Sequence, residues 1–247
     1  MKNNYTLVLG CNGLIGRALI DSLIKSNHYV IGVDINANQN NLVNDKFIFL
    51  KKNLIGEKNI KNLFKYLINK KLQVDSFINL IYPKSPQWGK EFGNLKLRYI
   101  NQDLSSQLGL QIFILQELLK YYLKLKIKGK VVLISSIQGL AAPKFSHYKS
   151  LNMTSPIEYS AIKAGIISIT KYLAKKYKGY DLNINCVSPG GIFDNQSKLF
   201  ISRYKKDTLN KGLLDPHDII GTIKFLISNE SKYINGQNII IDDGWSL

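Results

Sequence analysis

Seven residues near the start of the chain, Gly10-Cys11-Asn12-Gly13-Leu14-Ile15-Gly16, limit the possible folds more than any other segment. They follow a short apolar, β-prone run, Tyr5-Thr6-Leu7-Val8-Leu9, and precede Ala18, Leu19, Leu23 and Ile24 at helical spacing. A strand that turns through glycines directly into a helix is the context in which such a pattern signals dinucleotide binding. Glycine lets the backbone turn tightly and approach a pyrophosphate, while the helix N-terminus offers unpaired N–H groups and the positive end of its dipole. A second run, Tyr29-Val30-Ile31-Gly32-Val33-Asp34, ends in a carboxylate 18 residues beyond Gly16. That is close to where an acid accepts the adenosine ribose hydroxyls, and it would repel a 2′-phosphate, so NAD is expected ahead of NADP. The bland alternative is a flavodoxin-like fold with an ordinary glycine turn.

The rest of the chain keeps the same alternation. Strand-like runs fall near residues 5–9, 29–34, 46–51, 74–81, 130–135, 182–187 and 238–242, and helical patterns near 14–26, 57–70, 99–125, 157–178 and 216–228. This predicts an α/β fold, a doubly wound parallel sheet of Rossmann type with helices on both faces. At 247 residues, with no internal repeat or linker, one domain spanning 1–247 is expected. Residues 191–212 are polar and poorly periodic, and read either as a lid over a substrate or as a connecting loop.

A second constellation suggests chemistry. Val131-Val132-Leu133-Ile134 ends in Ser135-Ser136, and Tyr159-Ser160-Ala161-Ile162-Lys163 follows. Four residues apart on a helix, Tyr159 and Lys163 share a face, so the ammonium can favour the ionised phenol and make it a usable general base. Alone, Tyr-x-x-x-Lys reads more readily as a surface lysine beside a half-buried tyrosine.

Together these segments resemble the short-chain dehydrogenase/reductase family over nearly the whole chain. Ser188-Pro189-Gly190-Gly191 is similar to that family's turn beneath the nicotinamide, and Asn235-Gly236-Gln237 through Asp242-Asp243-Gly244-Trp245 to its closing strand and tail. The resemblance implies Tyr159 as general acid/base, Lys163 as its tuner and a ribose ligand, and Ser136 rather than Ser135 as holder of the substrate oxygen. It further implies cofactor contacts at Gly10, Asn12, Gly13, Ile15, Gly16, Asp34, Asn53, Leu54, Asn79, Tyr159, Lys163, Pro189, Gly190 and Ile192. A homodimer or homotetramer, paired through the long helices around 99–125 and 159, is implied as well.

Several positions depart from the family pattern. Leu9 replaces a threonine and the middle glycine falls one place early, at Gly13. The usual Asn-Asn-Ala-Gly reads Asn79-Leu80-Ile81-Tyr82, and Asn53-Leu54 stands where an acid is usual. The family's asparagine on the long central helix has no clear counterpart: alignment on the following Leu108-Gly109 puts Gln107 there, with Asn101 and Asp103 nearby, and none of the three is assigned. Ser136 and Tyr159 are 23 residues apart, which lengthens the loop 139–156. Lys144, Phe145, His147, Tyr148 and Lys149 give that loop an aromatic-basic character suited to a sugar ring with a phosphate, or to a surface or subunit contact. Ala141-Ala142-Pro143-Lys144-Phe145, Met153 to Tyr159, Pro189 to Gln196 and Leu213-Leu214-Asp215-Pro216 resemble the flagellin-modification oxidoreductases of surface-sugar loci, associated with nonulosonic sugars. A small-molecule sugar derivative is the partner this implies.

The formal charge of +17 raises a nucleic-acid reading. The charge is almost entirely lysine, with arginine only at 17, 98 and 203, and is spread along the chain rather than gathered into a patch. No nucleic-acid partner is therefore expected. A non-catalytic dinucleotide sensor is the other rival, and retention of Ser136, Tyr159 and Lys163 together argues against it. Two cysteines make no disulfide framework, three scattered histidines make no metal site, and no apolar run approaches a membrane span of roughly 20 residues. The chain is accordingly expected to be a cytoplasmic enzyme.

Overall fold

The computed structural model describes residues 3–38 and 44–247. Seven strands form one parallel sheet: β1 (Asn4–Leu9), β2 (Tyr29–Asp34), β3 (Phe47–Lys51), β4 (Gln73–Asn79), β5 (Gly129–Ile134), β6 (Leu182–Pro189) and β7 (Asn238–Ile241). Their order is β3-β2-β1-β4-β5-β6-β7, so the chain winds outward from β1 in one direction and then, from β4, in the other. The carboxyl ends of β1 and β4 meet where the winding reverses, the crevice in which open α/β sheets bind ligands.

Alternation along the strands builds two apolar layers. Leu7 and Leu9, Ile31 and Val33, and Val131 and Leu133 face α2 (Glu57–Asn69), α4 (Leu110–Leu125) and α5 (Ile157–Lys176). Val8, Val30, Ile78, Val132 and Val187 face α1 (Leu14–Lys25) and α7 (Ile220–Ile227). Period 2 in the strands thus supplies both faces, which is why their sequences are nearly continuous apolar runs.

Two elements differ from the sequence expectation. The segment 99–125 is not one helix: α3 (Leu97–Asp103) passes into a widened π turn over Leu104–Gly109 before α4 resumes. The 191–212 segment contains a helix, α6 (Lys198–Lys205), capped by Ser197, whose hydroxyl accepts from the Phe200 amide. A third cluster, Ile137, Phe200, Tyr204, Leu213 and Trp245, joins α6 to the carboxyl edge of the sheet.

Candidate active site

A cavity of about 1020 Å³ runs along the carboxyl ends of the strands. Every residue for which the family resemblance implies a catalytic or cofactor role lines it: Gly10, Asn12, Gly13, Ile15, Gly16, Asp34, Asn53, Leu54, Asn79, Ser136, Tyr159, Lys163, Pro189, Gly190 and Ile192. Both the 139–156 loop and the 191–212 segment contribute to the wall.

At one end the backbone dictates the residues. Gly10 has φ +75°, and a Cβ there would lie 2.8 Å from the Leu80 carbonyl carbon. A Cβ at Gly16 would fall 2.5 Å from the Gly10 carbonyl oxygen, so neither site accepts a side chain. Gly13 caps α1 without a side-chain partner, and the first turn holds no acid. The helix therefore presents free N–H groups to the cavity, a fit for a pyrophosphate. Asp34 is held by two backbone donors, Asn12 N to Oδ2 (2.9 Å) and Asn36 N to Oδ1 (3.1 Å). A carboxylate has lone pairs beyond these for a ribose diol. The Asn12 side chain is engaged elsewhere, donating to the Ala37 carbonyl at 2.8 Å, and the Asn53 side-chain oxygen accepts from the Ile55 amide.

The middle of the cavity is set by the contact of β5 with α5. Ser135 is buried and its hydroxyl donates to the Lys163 carbonyl at 2.7 Å. Gly139 lies so close to α5 that a Cβ would come 2.7 Å from the Lys163 carbonyl carbon. These contacts fix the strand end against the helix and leave Ser136 and Tyr159 on the same cavity, with Ser136 acting to lower the phenol's pKa. Lys163 Nζ donates to the Ile134 carbonyl (3.0 Å) and stands 5.4 Å from the centre of the Tyr159 ring.

The electrostatics differ from the sequence expectation of an acidified phenol. Burial pushes the Tyr159 hydroxyl above its ordinary value, outweighing the hydrogen bond from Ser136, and brings Lys163 down to about 8. Desolvation acts on each side chain separately and dominates both shifts. In the protein alone, burial favours the neutral form of Tyr159.

The other half of the cavity was not legible from motifs. Tyr82 and Trp88 pack edge-on against the Tyr159 ring at 5.8 and 6.0 Å. Across from them, Tyr204 stacks on Trp245 at 6.0 Å and accepts a hydrogen bond from the Gly191 amide at 2.6 Å. Gln138, Tyr148, Ser155 and Gln196 add amide and hydroxyl groups to the lining. His147 is buried and bonded to Asp207 at 2.5 Å, which ties the 139–156 loop to the end of α6. Lys144 and Lys149 are absent from the lining. Lys144 instead pairs with Asp207 at 3.1 Å and lies over the Trp245 ring.

The three candidates on the central helix also separate. Asn101 is exposed and outside the cavity, and buried Asp103 binds Ser85 rather than facing the site. Gln107 reaches the cavity wall, donating to the Pro83 carbonyl at 2.7 Å. A fourth amide, Gln111, also lines it and accepts from Asn79. Among the described residues no three His, Cys, Asp or Glu side chains gather as a metal would need, and no helix is long and apolar enough to cross a membrane.

A glycine turn at the winding reversal and a serine, tyrosine and lysine on the same cavity define a nicotinamide-dinucleotide oxidoreductase. A family model described as enoyl-(acyl carrier protein) reductase matches residues 13–246, and the chain belongs to the short-chain dehydrogenase/reductase family. It is 34% identical over 256 residues to post-translational flagellin modification protein A of Campylobacter coli, covering 100% of both chains. A short-chain dehydrogenase of Leptospira borgpetersenii with bound NAD+ superimposes with a TM-score of 0.92 at 30% identity, over 100% of this chain and 94% of that one. A 4-hydroxyisoleucine dehydrogenase complexed with NADH gives 0.83 at 28% identity, over 99% of each.

Proposed function

We propose that this enzyme interconverts a secondary alcohol and a ketone on a sugar derivative in surface-glycan synthesis, using NAD(H). The observation that carries the reading is Ser136, Tyr159 and Lys163 lining one cavity with the glycine turn. When bound, the nicotinamide exchanges hydride with the carbinol carbon. Ser136 holds the oxygen on that carbon, and Tyr159 gives or takes its proton. Lys163 stabilises the phenolate as it forms and is placed to bind the ribose. Gly10, Gly13, Gly16 and Asp34 would hold the adenosine and pyrophosphate, and Pro189, Gly190 and Ile192 would contact the nicotinamide.

The sugar part of the reading is supported by the lining. Aromatic faces from Tyr82, Trp88, Tyr148 and Trp245 beside amide and hydroxyl groups suit a polyhydroxylated ring. The flagellin modification relative points the same way. In this reading the 139–156 loop and the 191–212 segment act as one cover, joined through His147 and Asp207. The test is a panel of sugar alcohols and keto-sugars assayed for interconversion of NAD+ and NADH. Tight cofactor binding with no turnover on any of them would favour a dinucleotide sensor instead.

Asp34 supports NAD over NADP in this reading, because a carboxylate at the end of β2 would accept the ribose hydroxyls and repel a 2′-phosphate. Calorimetry should show NAD(H) bound more tightly, with the gap narrowed in Asp34→Ala. Equal affinities in the unaltered protein would contradict this.

The assembly reading rests on exposed apolar side chains along the long helices. Ile112 on α4 is 51% exposed and Tyr172 on α5 is 64% exposed. A dimer or tetramer pairing these helices should scatter light at about two or four times the chain mass of 28.0 kDa. A single-chain mass at micromolar concentration would refute it.

A further inference from the structure

We infer that the substrate carries an anionic group and that Lys84 receives it. This names a substrate class within the sugar reading above and rests on it. Lys84 belongs to the segment Tyr82-Pro83-Lys84-Ser85, which leaves β4 and forms the cavity wall beside Tyr159. Three hydrogen bonds hold that backbone. Gln107 Nε2 donates to the Pro83 carbonyl, and the Ser85 amide and hydroxyl donate to the two oxygens of Asp103 at 2.7 and 2.6 Å. Asp103 is 1% exposed, and both its oxygens accept from Ser85, which holds this short wall in place.

Tyr82 presents its ring edge-on to Tyr159, 5.8 Å between centres, and Lys84 Nζ lies 4.9 Å from the centre of the Tyr82 ring. Those two steps keep the ammonium within about 11 Å of the Tyr159 ring centre, inside the reach of a substituted sugar ring whose carbinol oxygen meets Tyr159. Among the described residues no carboxylate pairs with Lys84, whereas Lys144, on the outer side of the loop, is paired with Asp207. The carboxylate of the opposite wall, Asp194, comes from the turn after β6, with β5 lying between β6 and β4. An anionic substituent is therefore drawn to the β4 side. That polarity also fixes which end of the sugar faces the nicotinamide floor.

Trp88 and Trp245, the two tryptophans of the chain, both line this cavity, so intrinsic fluorescence reports ligand entry. The NAD+-loaded enzyme is titrated with N-acetylglucosamine and its 1-phosphate, and with a non-sugar pair, 2-butanol and 3-hydroxybutyrate. The sugar phosphate should bind roughly tenfold more tightly than the neutral sugar. The gap should shrink with added salt and close in Lys84→Gln, with NAD+ affinity unchanged. Absence of a gap in the unaltered enzyme, or its persistence in Lys84→Gln, would overturn the inference and leave the sugar reading standing. A Lys84-dependent gap confined to the hydroxybutyrate pair would support the anion site and overturn the sugar. Failure of all four compounds to bind would overturn both.

Discussion

Replacing Tyr159 by phenylalanine is expected to lower turnover by about 10²–10⁴-fold while leaving NAD(H) affinity within a small factor of the original. The ring keeps its edge-on contacts with Tyr82 and Trp88, so the wall survives and only the hydroxyl is lost. That hydroxyl shares the cavity with Ser136 and is the proton carrier of the proposed reaction. Single-turnover kinetics with cofactor affinity measured in parallel separates the two effects. Undiminished turnover in the Phe variant would remove the tyrosine from the chemistry.

Lys163→Met is expected to abolish most turnover and yet make the cofactor-free protein more stable. Burial brings the Lys163 ammonium down from 10.5 to about 8, so at pH 7 the folded state holds a charge it disfavours. A shift of this size corresponds to about 3 kcal/mol. Methionine removes that penalty but leaves the Ile134 carbonyl without its donor, costing about 1–2 kcal/mol. The net gain is about 1–2 kcal/mol, or roughly 2–6 °C in Tm for a chain of this length. The sign follows from proton binding: between pH 8 and 10.5 the unfolded chain holds this proton and the folded one does not. The stability of the native enzyme therefore rises through that window relative to the variant, and the advantage of methionine fades there. Thermal unfolding at pH 7 and pH 10 checks both the gap and its closure.

The cofactor half of the site was legible because it depends on the backbone. A turn with Gly10 at positive φ and Gly16 against the Gly10 carbonyl admits few other residues, and its pattern is contiguous. The same holds for Tyr159 and Lys163, four residues apart on one helix. The substrate half is assembled from distant segments. Tyr82 and Trp88 follow β4, Tyr204 lies on α6 and Trp245 is near the end of the chain. Tertiary packing alone brings them to one cavity.

On the central helix, alignment on Leu108-Gly109 points to Gln107, which does line the cavity. The π turn over Leu104–Gly109 shifts the faces of the helix, so spacing alone could not set aside Asn101 and Asp103. Helix α6 was missed because it is short and polar. Its only strong signal is Phe200 and Tyr204 at i, i+4, whose rings pack 5.9 Å apart. Lys144 and Lys149 looked like substrate ligands from composition. The loop instead turns His147 and Tyr148 inward, and Asp207 takes the Lys144 ammonium.

The central claim is that this cavity carries out hydride exchange at a carbinol carbon with Tyr159 handling the proton. Its most direct test uses NADH deuterated at C4 in its transferable position and a set of keto-sugars, with the product examined by mass spectrometry and NMR. The account predicts one deuterium on the new carbinol carbon, and its near disappearance in Tyr159→Phe at equal cofactor occupancy. Product formed without the label, label arriving undiminished in the Phe variant, or tight NADH binding with no product from any keto-sugar would contradict it.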